Sequence, residues 1–209
     1  MWPFSRYISV SSKGILQGMT DCHSHLLPGV DDGVRTAEES LRILEEMERQ
    51  GIRKLWLTPH IMEDIPNTTD TLKTCFRTLC ESYRGNIRLE LAAEYMLDNL
   101  FVRRLEEDDI LPLHEEKCYL LVETSYFNPP MRLLSMLKHI REKGYHPLLA
   151  HPERYEYMQM ADYKALQQAG VAFQLNIPSL AGMYGMCRKK RKPCKRQTCI
   201  LCVVTTLIP

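Results

Sequence analysis

The 209-residue chain lacks the run of about 20 apolar residues that a membrane-spanning helix needs. Residues 1–13 also lack the apolar core of a secretory signal. None of the eight cysteines is followed six positions later by arginine, so the Cys-x5-Arg phosphate loop of cysteine-dependent phosphatases is absent. We therefore expect a cytoplasmic protein without a membrane span, in which any phosphate-ester chemistry uses a nucleophile other than a thiolate.

Two histidines and two aspartates lie close together in residues 23–32. If a strand runs into a loop at this point, the alternation of side chains places His23 and His25 on the same side. Asp31 and Asp32 lie on a glycine-flanked turn that can fold back over the same ion. Imidazole combined with carboxylate suits zinc, manganese or iron, so this segment predicts a metal site that hydrolyses its substrate with a metal-bound water.

Strand patterns alternate with helix patterns along the rest of the chain. Apolar stretches predict strands at residues 19–23, 53–58, 87–93, 118–122, 146–150 and 171–175. Caps and apolar periodicity predict helices at 37–50, 69–83, 128–143 and 162–169, with an irregular segment at 97–116. This order favours a parallel sheet of βα units that closes, or nearly closes, into a barrel.

Side chains that can bind metals recur where these strands end. The carboxyl-terminal end of a strand is the end that carries the site in barrels of this kind. Five successive predicted strands have such residues at or just after this end, namely His23 with His25, then His60, Glu94, Glu123 and His151. A random distribution would scatter histidines and glutamates over helices and loops as well, as at His114 and His139, but it does not account for five successive strands that end in this way.

These blocks resemble the PHP metallophosphoesterase superfamily, and within it the bacterial tyrosine-protein phosphatases encoded with capsule and exopolysaccharide genes. The matching blocks are residues 21–33, 58–60, 93–95, 121–123, 150–155 and 176–180. The resemblance implies an α/β fold, a distorted TIM-like (βα)7 PHP barrel. We assign it to residues 19–185, after an N-terminal extension at residues 1–18.

The resemblance also implies a function: hydrolysis of phosphotyrosine by a metal-activated hydroxide, in the regulation of capsular or exopolysaccharide synthesis. A cluster of up to three ions, commonly manganese, would be held by His23, His25, Asp32, His60, Glu94, Glu123 and His151. Arg154 would be catalytic, because it would hold the phosphate oxygens and neutralise charge on the leaving phenolate. The residues alone also allow Arg154 to pair simply with Glu153 or Glu156.

Partners follow from the same resemblance. The implied substrate is a phosphotyrosine protein, and the C-terminal tyrosine cluster of a bacterial tyrosine kinase is the implied example. Residues 38–42 would lie in a homo-oligomer interface, and no nucleic acid is expected. Two other functions stay open: a PHP small-molecule phosphatase of the histidinol-phosphate type, and an inactive fragment or binding protein with a basic tail.

The family pattern continues past residue 176 to an Asp-x-His pair of ligands, which this sequence lacks. No histidine follows His151, and the only acidic residue after Glu156 is Asp162. We therefore expect a barrel that is incomplete at its C-terminal end, with fewer bound ions, weak metal binding and little activity.

Residues 186–209 form a basic segment outside this pattern. They hold seven of the 27 basic residues and none of the 26 acidic ones, so residues 1–185 carry 20 basic against 26 acidic side chains, a formal charge of −6. Zinc binding by cysteines 187, 194, 199 and 202, and binding to nucleic acid or an anionic surface, are two interpretations. A replaced, disordered tail on a truncated gene is favoured because the βα pattern stops here.

Overall fold

Strands and helices alternate through most of the chain. The structure is a computed structural model that describes residues 16–114, 117–176, 179 and 199–200. Its strands are β1 (Thr20–Ser24), β2 (Lys54–Leu57), β3 (His60–Ile61), β4 (Arg88–Leu91), β5 (Glu94–Met96), β6 (Leu113–His114), β7 (Cys118–Glu123), β8 (His146–Leu149), β9 (Ala172–Gln174) and β10 (Cys199–Ile200). Its helices are α1 (Ala37–Arg49), α2 (Thr69–Ser82), α3 (Asn99–Glu106), α4 (Leu133–Glu142) and α5 (Met160–Gln168).

The strands form two sheets. One has the order β1-β2-β4, and the other has the order β10-β9-β8-β7-β5-β3. All neighbours along these two paths are parallel, and β6 adds to β7 as an antiparallel strand. The predicted α/β class with parallel strands is confirmed.

Two predicted strands are each divided between the two sheets. The predicted strand at 53–58 ends before Pro59, which has no N–H to donate, and the chain enters the second sheet at β3. The predicted strand at 87–93 divides in the same way, because the Ala92 N–H binds the Leu57 carbonyl at 2.9 Å whereas the Ala93 N–H binds the Leu111 carbonyl at 3.0 Å. As a result, β3 and β5 pair from their first residues.

Side chains of the strands alternate between two apolar clusters. On β7, Leu120 and Val122 join the large cluster packed under the helices, whereas Leu121 joins a smaller one. The smaller cluster takes residues from both sheets: Cys22, Trp56, Ala92, Leu113, Leu121, Leu148 and Ala150. The two sheets therefore face each other across a shared apolar layer.

The helix caps explain which helix predictions were accurate. The predicted start of α1 is confirmed, since the Thr36 hydroxyl accepts the Glu39 N–H at 3.2 Å. The segment predicted to be irregular contains α3, which Asp98 caps by accepting the Phe101 N–H at 2.9 Å. That prediction was wrong because an aspartate cap in a charged segment was overlooked.

Two further helix starts differ from the prediction. The helix predicted from residue 128 begins at Leu133, because two consecutive prolines at 129–130 disfavour helical backbone in the residue before each of them. The helix predicted from Asp162 begins at Met160. The Asp162 carboxylate reaches back from the first turn to accept the Gln159 N–H at 2.7 Å.

The predicted tail is described only at residues 199–200. Their backbone forms β10, which lies beside β9 with Cys199 opposite Phe173, whereas the sequence predicted no regular structure after residue 185. The other residues of the tail, including the remaining candidate zinc cysteines, and most of the N-terminal extension lie outside the described residues. Across the described part of the chain, every helix is too short or too polar to span a bilayer.

Candidate metal centre

The centre is built around Glu94, a fully buried carboxylate at the start of β5. Its Oε2 lies 3.0 Å from His23 Nε2, 3.4 Å from His25 Nε2 and 3.3 Å from His60 Nδ1. Its Oε1 lies 3.0 Å from His151 Nε2. Four imidazoles therefore meet at one carboxylate. His23 lies in β1, His25 follows β1, His60 begins β3 and His151 follows β8.

Two more carboxylates complete the group. Glu123, at the end of β7, places Oε1 3.1 Å from His60 Nδ1 and Oε2 3.7 Å from His151 Nε2. Asp32 is more exposed, and its Oδ1 lies 3.6 Å from His60 Nε2. The structure thus brings together all seven side chains that the sequence singled out as metal ligands.

Three triplets of these residues have donor atoms that all lie within 4.8 Å of one another. Neighbouring triplets share members, as a cluster of cations with common ligands requires. The triplets are His23 with His25 and Glu94, His25 with Asp32 and His60, and His60 with Glu94 and Glu123.

Asp31 supports the centre from the loop after β1. Its carboxylate lies 2.8 Å from His25 Nδ1 and accepts the backbone N–H groups of Gly33 at 3.0 Å and His60 at 3.1 Å. Burial alone would raise the pKa of Asp31, but His25 and the two backbone donors lower it below its usual value. The loop requires glycine at 33, because a Cβ there would lie 2.2 Å from the His25 carbonyl oxygen.

The charges of the centre are strongly coupled. Burial opposes the imidazolium form of His25, but Asp31 and Glu94 raise its pKa to about 10. Burial would also raise the pKa of Glu94, yet the surrounding imidazoles hold it well below its usual range. For His23, burial prevails over the attraction of Glu94 and lowers the pKa.

Gln174 was not among the predicted site residues. It is fully buried on β9, and its Oε1 lies 3.0 Å from His23 Nδ1 and 3.0 Å from the backbone nitrogen of His151. The signal in the sequence was a polar residue at the end of an apolar strand, which is the same signal that identified the histidines and glutamates.

Asn67 is a second residue that the sequence did not reveal. Its Nδ2 donates to the backbone carbonyls of Val30 at 2.8 Å and His60 at 2.9 Å, which joins two loops that carry donor residues. The backbone carbonyl of Asn67 accepts a hydrogen bond from Nη2 of the buried Arg104 at 2.7 Å. Arg104 in turn pairs with Asp109.

Arg154 lies beside the centre and is not a member of the donor triplets. It ends the 3-10 turn Pro152–Arg154, directly after His151. The Tyr126 hydroxyl lies 3.4 Å from Arg154 Nη1, and the Tyr126 ring meets the His151 ring edge-on with centroids 5.7 Å apart. Tyr126 therefore connects the guanidinium to the imidazole group.

Comparison with known proteins agrees with this geometry. The model of the family described as capsular polysaccharide synthesis, CpsB/CapC, matches residues 19–205. The chain belongs to the CpsB/CapC family. The family match runs past residue 185, where the sequence predicted that the family pattern ends.

Relatives of this CpsB/CapC chain include phosphatases. It is 28% identical over 176 residues to tyrosine-protein phosphatase YwqE of Bacillus subtilis, covering 80% of this chain and 68% of YwqE. It is 31% identical over 147 residues to tyrosine-protein phosphatase CpsB of Streptococcus pneumoniae, covering 68% of this chain and 59% of CpsB. The chain thus spans roughly two thirds of these relatives.

A solved structure matches the fold of this CpsB/CapC chain. It comes from a study of YwqE from Bacillus subtilis and CpsB from Streptococcus pneumoniae, described there as unique metal-dependent tyrosine phosphatases. The match has a TM-score of 0.70 and 25% sequence identity, and it covers 85% of this chain and 74% of the solved one.

Proposed function

We propose that the chain is a metal-dependent protein-tyrosine phosphatase of the capsule-synthesis type. The observation that carries this proposal is the convergence of four imidazoles and two buried carboxylates at distances of 3.0–3.7 Å, although they come from strands and loops that lie far apart in the chain. Buried carboxylates in such a group need cations to offset their charge. The names of the relatives supply the reaction class.

The proposed ligands are the seven donor residues, His23, His25, Asp32, His60, Glu94, Glu123 and His151. The donor set fits divalent metal, because His60 Nδ1 is buried without a hydrogen bond among the described residues although it lies 3.1 Å from Glu123 and 3.3 Å from Glu94. Mixed imidazole and carboxylate donors suit Mn²⁺, and the overlap of the three triplets supports cations that share ligands, fewer than the three of intact relatives.

When bound, these ions would supply a nucleophilic hydroxide and Lewis-acid stabilisation of the phosphoryl group. The chain itself holds the donors in place, since Asp31 fixes His25 by a 2.8 Å contact and Asn67 fixes the His60 loop. We propose that Arg154 holds the non-bridging phosphate oxygens by charge-assisted hydrogen bonds. Its place beside Tyr126, at the edge of the centre, supports this role.

We further propose that residues 19–185 form a distorted (βα)7 PHP barrel that is incomplete at its C-terminal end. The apolar layer shared by the two sheets supports it, because such a layer fills the interior of a closed sheet. The proposed substrate is a phosphotyrosine protein, with the tyrosine cluster of a bacterial tyrosine kinase as the example. An oligomer interface at residues 38–42 stays a prediction.

A substrate panel tests the proposed function. The purified chain, stripped with a chelator and reloaded with Mn²⁺, is given a phosphotyrosine peptide, a phosphoserine peptide and histidinol phosphate. We expect Mn²⁺-dependent phosphate release that is fastest with the phosphotyrosine peptide. Faster turnover of histidinol phosphate would favour a small-molecule phosphatase instead, and release that is unaffected by the chelator would contradict the metal dependence.

A further inference from the structure

Gln174 contacts two residues of the donor group through one atom. The amide is fully buried, and its Oε1 faces both the ring Nδ1 of His23 and the backbone nitrogen of His151, each at 3.0 Å. These contacts join β9 to the ends of β1 and β8. They span 151 residues of chain for His23 and 23 for His151.

The backbone contact identifies the atom of the amide. A backbone N–H can only donate, so the atom of Gln174 that faces His151 must be the carbonyl oxygen and not the amino group. The same oxygen faces Nδ1 of His23, and two acceptors cannot bond to each other. Nδ1 of His23 therefore carries a proton.

This assignment fixes the other side of the His23 ring. In a neutral imidazole with a proton on Nδ1, Nε2 has a lone pair. That lone pair lies 3.1 Å from His25 Nε2, from which it can accept a hydrogen bond, and 3.0 Å from Glu94 Oε2. The carboxylate is also an acceptor, so the two meet through the His25 N–H, 3.4 Å from Oε2, or through a cation. Nε2 is thereby presented to the place where a cation would meet all three donors.

We propose that Gln174 is a positioning residue of the metal centre. It holds His23 in the Nδ1–H tautomer, with Nε2 facing the cation, and it holds the His151 backbone with the same oxygen. The proposal rests on the proposed metal site, and it adds an outer partner of the kind that orients ligating histidines in other metalloproteins.

A neutral acceptor suits this position. The centre already contains the buried carboxylates of Glu94 and Glu123, and a third carboxylate next to them would increase the charge to be offset. Gln174 Nε2 has no hydrogen bond to any residue that the structure describes. An apolar side chain would avoid this buried donor, so the amide is explained by its oxygen and not by packing.

The first test is the tautomer of His23 in the wild-type chain. Long-range ¹H–¹⁵N NMR correlations distinguish the two neutral imidazole tautomers, and a His23→Gln spectrum assigns the signal. We expect the Nδ1–H form in the chelator-treated chain, and the same nitrogen protonated after Zn²⁺, a diamagnetic probe, is added. An Nε2–H form in the chelator-treated chain would overturn the proposal.

The second test compares variants of Gln174 by titration with Mn²⁺. Gln174→Met removes the acceptor at similar volume, and we expect Mn²⁺ affinity to fall about 10–100-fold. Gln174→Glu keeps acceptor oxygens for both donors, and the charge that it adds is offset when Mn²⁺ is bound, so it should recover most of the lost affinity. It also keeps the proposal testable if the methionine variant does not fold.

The matched control is Phe173→Leu. Phe173 is the preceding residue of β9, is equally buried, and packs against Tyr163 with ring centroids 5.7 Å apart. Its change should lower thermal stability and leave Mn²⁺ affinity and the His23 tautomer unchanged. Equal Mn²⁺ affinity for the wild type and Gln174→Met would overturn this inference alone, whereas a wild type that binds no Mn²⁺ would contradict the proposed function itself.

Discussion

Oε1 of Glu94 lies 3.0 Å from Nε2 of His151, although 57 residues separate them in the chain. The other carboxylate oxygen of Glu94 faces His23, His25 and His60. Glu94 belongs to two of the three donor triplets, so it would be a shared ligand if cations were bound. Glu94 is therefore the residue on which the proposed centre depends most.

Removing the charge of Glu94 should strongly weaken metal binding without unfolding the chain. We expect Glu94→Gln to weaken Mn²⁺ binding by more than the roughly 100-fold that an outer partner can cost, because a shared ligand is lost. Calorimetric titration measures the affinity, and circular dichroism checks the fold. Glu90→Gln is the control, since Glu90 pairs with Arg88 on β4, and a matching loss of affinity in this variant would contradict the assignment.

Arg154 should act on turnover and not on metal content. Arg154→Ala removes donors aimed at the phosphate, so we expect kcat with a phosphotyrosine peptide to fall about 10²–10³-fold. Mn²⁺ binding should stay at the wild-type level, because Arg154 is not in a donor triplet. The exposed Arg49 provides the control variant Arg49→Ala. Loss of Mn²⁺ with unchanged kcat per bound ion would contradict the proposed role.

Asn67 should contribute to both stability and metal affinity. Asn67→Ala removes the hydrogen bonds to the Val30 and His60 carbonyls, and we expect a loss of about 1–3 kcal/mol in the free energy of unfolding. Mn²⁺ affinity should fall about tenfold, because Val30 and His60 are no longer held together near the donor residues. Urea unfolding and Mn²⁺ titration check these effects. Asn99→Ala, which loses only a surface contact to Glu63, should change neither quantity appreciably.

Metal binding should release protons at neutral pH. Since Asp31 and Glu94 raise the pKa of His25 to about 10, this ring is protonated in the metal-free chain and must lose a proton to bind a cation. The contribution of this charge to folding stability is complete below pH 6.5, the ordinary pKa, and is lost as the pH rises through about 10. Because a cation competes with this proton, Mn²⁺ affinity should increase from pH 6.5 to 8. Calorimetry in buffers of different ionisation enthalpy counts the protons. Asp31→Asn should reduce the count, and an unchanged count would contradict this explanation.

The number of bound ions should fall short of three at moderate concentrations of metal. Seven donor residues are proposed, and the Asp-x-His pair that the resemblance implies is absent from the sequence. We expect equilibrium dialysis against micromolar Mn²⁺ to give fewer than three ions per chain, with turnover that rises as more Mn²⁺ is added. Three tightly bound ions at that concentration would show that the missing ligands are replaced.

The donor residues could be predicted because they obey a local rule. In the sequence, His60, Glu94, Glu123 and His151 each end or closely follow an apolar stretch that predicts a strand, and parallel strands bring such positions to one edge of a sheet. The division of two strands between two sheets could not be predicted in this way. It depends on which neighbour each backbone N–H meets, as at Ala92, and this is settled only by tertiary packing.

The supporting residues were harder to predict than the donors. Asn67, Gln174 and Arg104 act through one or two hydrogen bonds each, to residues that are distant in the sequence. Amides and arginines are common on surfaces, so nothing local distinguishes Asn67 or Arg104, and the signal at Gln174 is only its place at the end of an apolar strand. Recognition of α3 failed for a simpler reason, since Asp98 has the ordinary signature of an N-cap.

The span of the contacts at His23 has a consequence for folding. Its ring meets Glu94 across 71 residues and Gln174 across 151, so both contacts close long loops and bear a large entropic cost. Such contacts form late, after nearby strands have paired. A cation held between His23 and Glu94 would tie β1 to β5, which belong to different sheets, and its release would let the contacts between the two sheets open first.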